Sequence, residues 1–103
     1  NRAGVEAELI VAKRYRTAGE TVTELRANIA DGDVDVVTNL KAIEVKSGSV
    51  SNEKLDKFVA QLTQLKAYAS STGKTPVLAV KQPLNEAYQK LVDSVGGISV
   101  VLY

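Results

Sequence analysis

The chain contains no cysteine and no histidine. Without cysteine there is no disulfide, no thiolate zinc site and no thiol nucleophile. Without histidine every mechanism that needs an imidazole is excluded, from Ser-His-Asp triads to His-based ribonucleases and His-metal nucleases. Any chemistry must run on carboxylates, lysine, tyrosine, serine, threonine or a metal ion held through oxygen. Methionine is absent too, and the first residue is Asn1. The expectation is a piece cut from a longer polypeptide, with its delivery signals lost along with the missing part. No apolar run is long enough to span a membrane, and no signal peptide is visible. Neither charge is in large surplus: the net charge of +1 excludes a polybasic nucleic-acid binder. Internal repeats, low-complexity tracts and linkers are also missing.

What is present fits one ordinary globular domain. The chain has 103 residues, 45% of them hydrophobic and 24% charged. Charge is unevenly spread. Asp31, Asp33 and Asp35 make an acidic knot, and Lys13, Arg14 and Arg16 a basic one. Lys66, Lys74, Lys81 and Lys90 dominate the C-terminal half. For these lysines a solvated surface and a flank for a substrate groove are equally open readings.

Asn1 to Arg16 reads as a helix with Val5, Leu9 and Ala12 at helical spacing, ended by Ala18-Gly19. Thr21 to Ile29 alternates β-branched with polar residues and reads as a strand. Asp31-Gly32 is a hairpin-type turn. Asp33 to Thr38 is a second strand, Asn39-Leu40 a turn, and Lys41 to Lys46 a third strand, which together make an antiparallel meander. After the Ser47-Gly48-Ser49 loop, Ser51 or Asn52 caps a long helix with Glu53 in its first turn. Leu55, Phe58, Val59, Leu62, Leu65 and Ala69 are its buried stripe, and Gly73 ends it. Thr75 to Lys81 is a strand. Pro83 opens a short helix to about Val95 with Leu84, Ala87, Leu91 and Val95 inward, ended by Gly96-Gly97. Ile98 to Tyr103 is the last strand. The order αβββαβαβ predicts an α/β (α+β) domain: a mixed central sheet flanked by helices, with some parallel pairing after Lys46.

Two strands carry charges that a buried sheet should avoid. Strand side chains alternate faces. Asp33 and Asp35 therefore share one face, opposite Val34 and Val36. Glu44 and Lys46 share one face, opposite Ile43 and Val45. Paired as a hairpin, the two strands bring an Asp and a Glu side by side. Two such carboxylates repel, and one stays protonated unless a cation lies between them. A divalent metal and the Lys46 ammonium both meet that need. Such a pair can hold Mg²⁺ or Mn²⁺, with Zn²⁺ less favoured, leaving positions for water and a phosphate oxygen. A lysine two residues after the Glu can orient the attacking water or neutralise developing charge.

Asp35 followed by Glu44-Val45-Lys46, in this strand context, resembles the PD-(D/E)xK nuclease superfamily with its restriction-endonuclease-like αβββαβ core. Val34 stands where the nominal Pro would be. The likeness runs from about Gly4 to Tyr68. It implies that Glu8, in a Gly4-x-x-x-Glu8 spacing on the first helix, completes the metal site with Asp35 and Glu44. It implies Lys46 as the fourth catalytic residue and Gln61, on the helix after the ExK segment, as a weaker substrate-binding residue. Lys41 and Lys54 are expected to matter far less.

Blander readings stand beside these. Asp33 reads better as a turn residue than as a ligand. Asp35, Glu44 and Lys46 read alternatively as an exposed ion-paired sheet face. Glu8 reads alternatively as a boundary carboxylate paired with Lys13 or Arg14, and Gln61 as a solvated helix position. The tyrosines read as packing residues, with Tyr15 near the site as the alternative.

A minimal nuclease domain without a recognition module also resembles the C-terminal toxin domains of contact-dependent growth inhibition and other polymorphic toxins. That likeness implies a tRNA or DNA target in the cytoplasm of a neighbouring bacterium, delivery as part of a larger effector, and a cognate immunity protein. Two other classes stay open: a housekeeping or mobile-element DNA endonuclease of resolvase type, and a non-enzymatic interaction domain on the same fold.

Overall fold

The computed structural model describes residues 2–29, 32–50 and 53–103. The expected turn residue Asp31 and the expected helix caps Ser51 and Asn52 lie outside the described residues. Helix α1 spans Arg2–Thr17. Strands β1 (Val22–Ile29), β2 (Gly32–Thr38) and β3 (Lys41–Lys46) follow. Then come helix α2 (Leu55–Thr72), strand β4 (Thr75–Val80), helix α3 (Glu86–Val95) and strand β5 (Ser99–Leu102). The eight elements come in the expected order.

The five strands form one mixed sheet in sequential order, β1 to β5. The first three make the antiparallel meander. The last two run parallel to β3, because each is reached by a helical crossover. No described helix is long and apolar enough to cross a membrane.

Helix α1 covers one sheet face. Its Ala7, Val11 and Ala12 pack with Val36, Ile43, Val45, Val77 and Ala79. Val5 and Leu9, expected inside, are 42% and 52% exposed. Ala12 is buried as expected, and the rest of the buried stripe runs along Ala7, Glu8 and Val11. Small side chains win that face because they let the helix backbone lie close to the sheet, a choice that apolar spacing does not reveal.

Helices α2 and α3 cover the other face. Phe58 and Leu62 pack with Leu78, Val80, Tyr88 and Val92, and Leu65 and Ala69 pack with Val34, Val37 and Ala42. Of the expected α2 stripe, Phe58, Leu62, Leu65 and Ala69 are buried, Val59 is half-buried and Leu55 is exposed. Helix α2 begins at Leu55 with Lys54 at the cap position and Asp56 as its first-turn acid. Glu53, expected in that turn, precedes the helix. Gly73 ends α2 with a left-handed φ of 67°. Helix α3 starts at Glu86, later than Pro83, because the Asn85 side chain caps it by accepting the Tyr88 amide at 3.0 Å. Tyr88 and Val92 are its buried residues, while Ala87 is exposed.

Candidate functional site

The β2–β3 ladder pairs Val36 with Ile43 and Val37 with Ala42. One step further in that register, Asp35 comes opposite Glu44. The ladder's recorded pairs stop there, and the Asp35 carboxylate takes over a backbone role: Val45 N–H donates to its Oδ2 at 2.8 Å. β1 is irregular beside the same point. Leu25 pairs with Val36 and Ala27 with Val34, but the pair between them, Arg26 and Asp35, is missing. Arg26 has a φ of 54°, a left-handed conformation that costs a non-glycine residue about 1–3 kcal/mol. That break separates Val34, which packs with Leu65 and Ala69, from Val36, which packs under α1. The strict alternation expected for β2 therefore fails at the position of its acid.

Asp35 and Glu44 open into a cleft of about 370 Å³, bounded on one side by Asp33 and on the other by Lys57, Gln61 and Gln64 of α2. Asp33, read from the sequence as a turn residue, instead lies within β2 opposite Asn28 and is exposed at the rim of the cleft. Burial is the main cause pushing the Asp35 carboxyl up; the Val45 amide opposes it and the Glu8 charge adds to it. Glu44 is driven further, to about 8, first by burial and then by the charge of Asp35, against the pull of Lys46. Two adjacent carboxyls in a poorly solvated place cannot both ionise cheaply. The sheet face is half-buried and not the exposed surface of the blander reading, although the ion pair of that reading is present between Lys46 and Glu44.

Lys46 lies beside Glu44, its Nζ 3.5 Å from Oε2, and both side chains are about 12% exposed. Its Nζ also donates to Gln61 Oε1 at 2.6 Å and to Glu53 Oε1 at 2.7 Å. Gln61 is thus half-buried and tied to the lysine. Glu8 is buried, and it accepts from Arg26 Nε at 2.9 Å; its partner is neither Lys13 nor Arg14. Among the described residues, no three acidic side chains are gathered as a group that could hold an ion. The all-oxygen pair Asp35 and Glu44 is a donor set of the kind that could hold Mg²⁺ or Mn²⁺. Tyr15 lies elsewhere, under the Lys41 ammonium, which is 5.8 Å from its ring centroid. Lys41 itself pairs with Glu20 at 2.9 Å.

A larger hollow of about 1040 Å³ runs between α1 and β1 along Leu9, Lys13, Arg16, Glu20 and Leu25. Of the two carboxyls there, Glu24 is exposed, and Glu20 is subject to burial, yet the Thr38 hydroxyl and the Lys41 ammonium hold it below its ordinary value. A satisfied carboxylate of that kind is structural, so size does not make this hollow the chemical site.

No family model matches the chain, and no curated protein or solved structure does. The site therefore stands on its own geometry. Two of its residues escape the sequence pattern. Arg26 sits in a strand of alternating residues like any solvated cation, and nothing local betrays its φ. Glu53 carries a signal that points elsewhere, since an acid just before a helical stripe reads as a macrodipole residue.

Proposed function

We propose that the chain is a divalent-metal-dependent nuclease of the PD-(D/E)xK type, hydrolysing phosphodiester bonds with tRNA as the favoured substrate and DNA as the second. The observation that carries this reading is the half-buried carboxylate pair of Asp35 and Glu44, open to one cleft and flanked by Lys46. Asp35 and Glu44 would hold the metal, and Glu8 is the reserve ligand, now paired with Arg26. A bound Mg²⁺ or Mn²⁺ supplies positive charge to the scissile phosphate and makes its water more acidic. Asp35 is kept in place by the Val45 amide. As a ligand to such an ion, Glu44 would act in its ionised form. Lys46 presents its ammonium to the cleft edge, where it orients the attacking water and offsets charge growing on the phosphate. Gln61 sets the lysine's direction from α2.

The test is to incubate the protein with total tRNA and with supercoiled plasmid, adding Mg²⁺, Mn²⁺ or Zn²⁺ in turn. Cleavage should appear with Mg²⁺ or Mn²⁺ and vanish in D35N and E44Q. A folded E44Q variant that cuts as fast as wild type removes the reading.

The same proposal extends to biology. With near-neutral charge the domain gains little affinity from counterion release, which suits a shaped target such as folded tRNA. A producing cell needs protection from such an enzyme, so the domain is the toxin part of a delivered effector with a cognate immunity protein. That inhibitor should present acids to the cleft-side lysines, associate more slowly as salt rises, and bind with a Kd on the order of nanomolar or tighter. Mixing the domain with the product of the adjacent reading frame checks this: no binding and undiminished cleavage defeat the toxin reading while the nuclease reading stands.

A further inference from the structure

Lys46 is surrounded. An ammonium has three N–H donors, and Lys46 Nζ has three acceptors: Gln61 Oε1 at 2.6 Å, Glu53 Oε1 at 2.7 Å and Glu44 Oε2 at 3.5 Å. Glu44 and Gln61 line the cleft with Asp35, whereas Glu53 does not; with Lys46 it borders a separate hollow formed by the 45–50 segment, so the ammonium lies between the two. The shorter ion pair is thus made with the carboxylate outside the cleft. Two acids compete for one ammonium, and Glu53 holds it.

The backbones of both partners are pinned. Glu53 N–H donates to the Val50 carbonyl at 2.9 Å. The Glu53 carbonyl accepts the Tyr88 hydroxyl at 2.8 Å. The Tyr88 ring is buried, edge-on to Phe58 with centroids 5.3 Å apart. The Lys46 carbonyl accepts the Tyr103 hydroxyl at 2.6 Å. Two tyrosines from the C-terminal part of the chain therefore fix the two points that the ion pair joins. The remaining Glu53 oxygen, Oε2, is buried with no hydrogen-bond partner among the described residues. An orphaned buried carboxylate oxygen is unfavourable.

We propose that Glu53 is a positioning residue for Lys46, holding the ammonium at the cleft edge and away from a closed pair with Glu44, with Tyr88 and Tyr103 bracing the two backbones. Without Glu53, Lys46 closes on Glu44, ties up a carboxylate that the metal needs and turns away from the phosphate. The role in turnover rests on the nuclease reading above; the hold on the lysine does not.

Glu53→Ala and Glu53→Gln test it, with circular dichroism to show that each is folded. On the protein alone, the Lys46 ammonium should give a slowly exchanging ¹⁵N NMR signal. That signal should be lost in Glu53→Ala, weakened in Glu53→Gln and partly kept in Glu53→Asp. With tRNA or plasmid as the probe, kcat should fall on the order of 10- to 100-fold in Glu53→Ala while KM holds, the scale seen when an orienting partner behind a site residue is removed. Tyr88→Phe should give a smaller loss in the same direction without changing any charge. An unchanged Lys46 signal in folded Glu53→Ala overturns the proposal. So does an unchanged kcat, or a loss confined to KM or to thermal stability. Failure of the nuclease reading is told apart because it shows in the wild-type protein, as no cleavage of either probe, before any substitution is made.

Discussion

Glu44 is pushed from an ordinary 4.5 to about 8, chiefly by burial and next by Asp35. Between those two values the folded protein holds a proton that the unfolded chain has released. Stability from this group is therefore complete below about pH 4.5 and declines as pH rises through about 8. E44Q removes the dependence. The wild type should lose stability relative to E44Q by a few kcal/mol between about pH 5 and about pH 9, read by urea unfolding at each pH. A parallel pair of curves removes Glu44 as the cause. Lys46 belongs to the same scale. The expectation from sequence is that Lys46→Ala abolishes cleavage and leaves the fold untouched. The first half stands as a prediction for the tRNA and plasmid assays. The second half changes, because this side chain is nearly buried among Glu44, Glu53 and Gln61. Its loss strands two acids, so Lys46→Ala should also be measurably less stable than Lys54→Ala, whose side chain is exposed.

At the scale of elements, the β2–β3 connection hangs on one hydroxyl. Thr38 is fully buried; its Oγ1 donates to Glu20 at 2.6 Å and accepts the Leu40 and Lys41 amides at 3.1 and 2.9 Å. Thr38→Val keeps the shape and removes all three bonds. It should cost about 1–3 kcal/mol, and each kcal/mol should lower Tm by roughly 4–8 °C in a domain of this size. Asn85→Ala, which removes the α3 cap, should cost about 1 kcal/mol and be visible in the same melting experiment. These two elements also show what periodicity can and cannot deliver. β3 was legible to the residue, since the β-branched Ile43 and Val45 alternate with Glu44 and Lys46 and the segment is bounded by turn and loop residues. The start of α3 was less so, because Pro83 and Asn85 are both competent openers and only the Tyr88 amide chooses between them. The α1 face was misjudged at Val5 and Leu9 because burial there goes to small residues, not to the largest apolar ones.

For the molecule as a whole, the sheet sits between α1 on one side and α2 with α3 on the other, and Phe58 anchors the second layer. It is fully buried and packs edge-on to Tyr88. Phe58→Ala should cost about 3–5 kcal/mol, a large share of the roughly 5–15 kcal/mol typical of a domain. Chemical denaturation should show this. Because Phe58 supports the Tyr88 ring, the variant should also lose the Lys46 ammonium signal before it loses its secondary structure.

The element order, the meander, most of the α2 stripe and the adjacency of Asp35 and Glu44 follow from local pattern, because each depends on short-range periodicity and turn chemistry. The sequence by itself also excluded imidazole and thiol chemistry outright, by composition. Only the tertiary structure decided that Glu8 faces Arg26, that Glu53 reaches back to Lys46, and that Tyr88 and Tyr103 brace that pair. Those partners are separated by 7 to 57 residues. No local pattern encodes such contacts, since they form only when the sheet and helices bring distant segments into hydrogen-bond range. The rise of Glu44 to about 8 is of the same kind: it comes from burial, and burial exists only once the chain has folded.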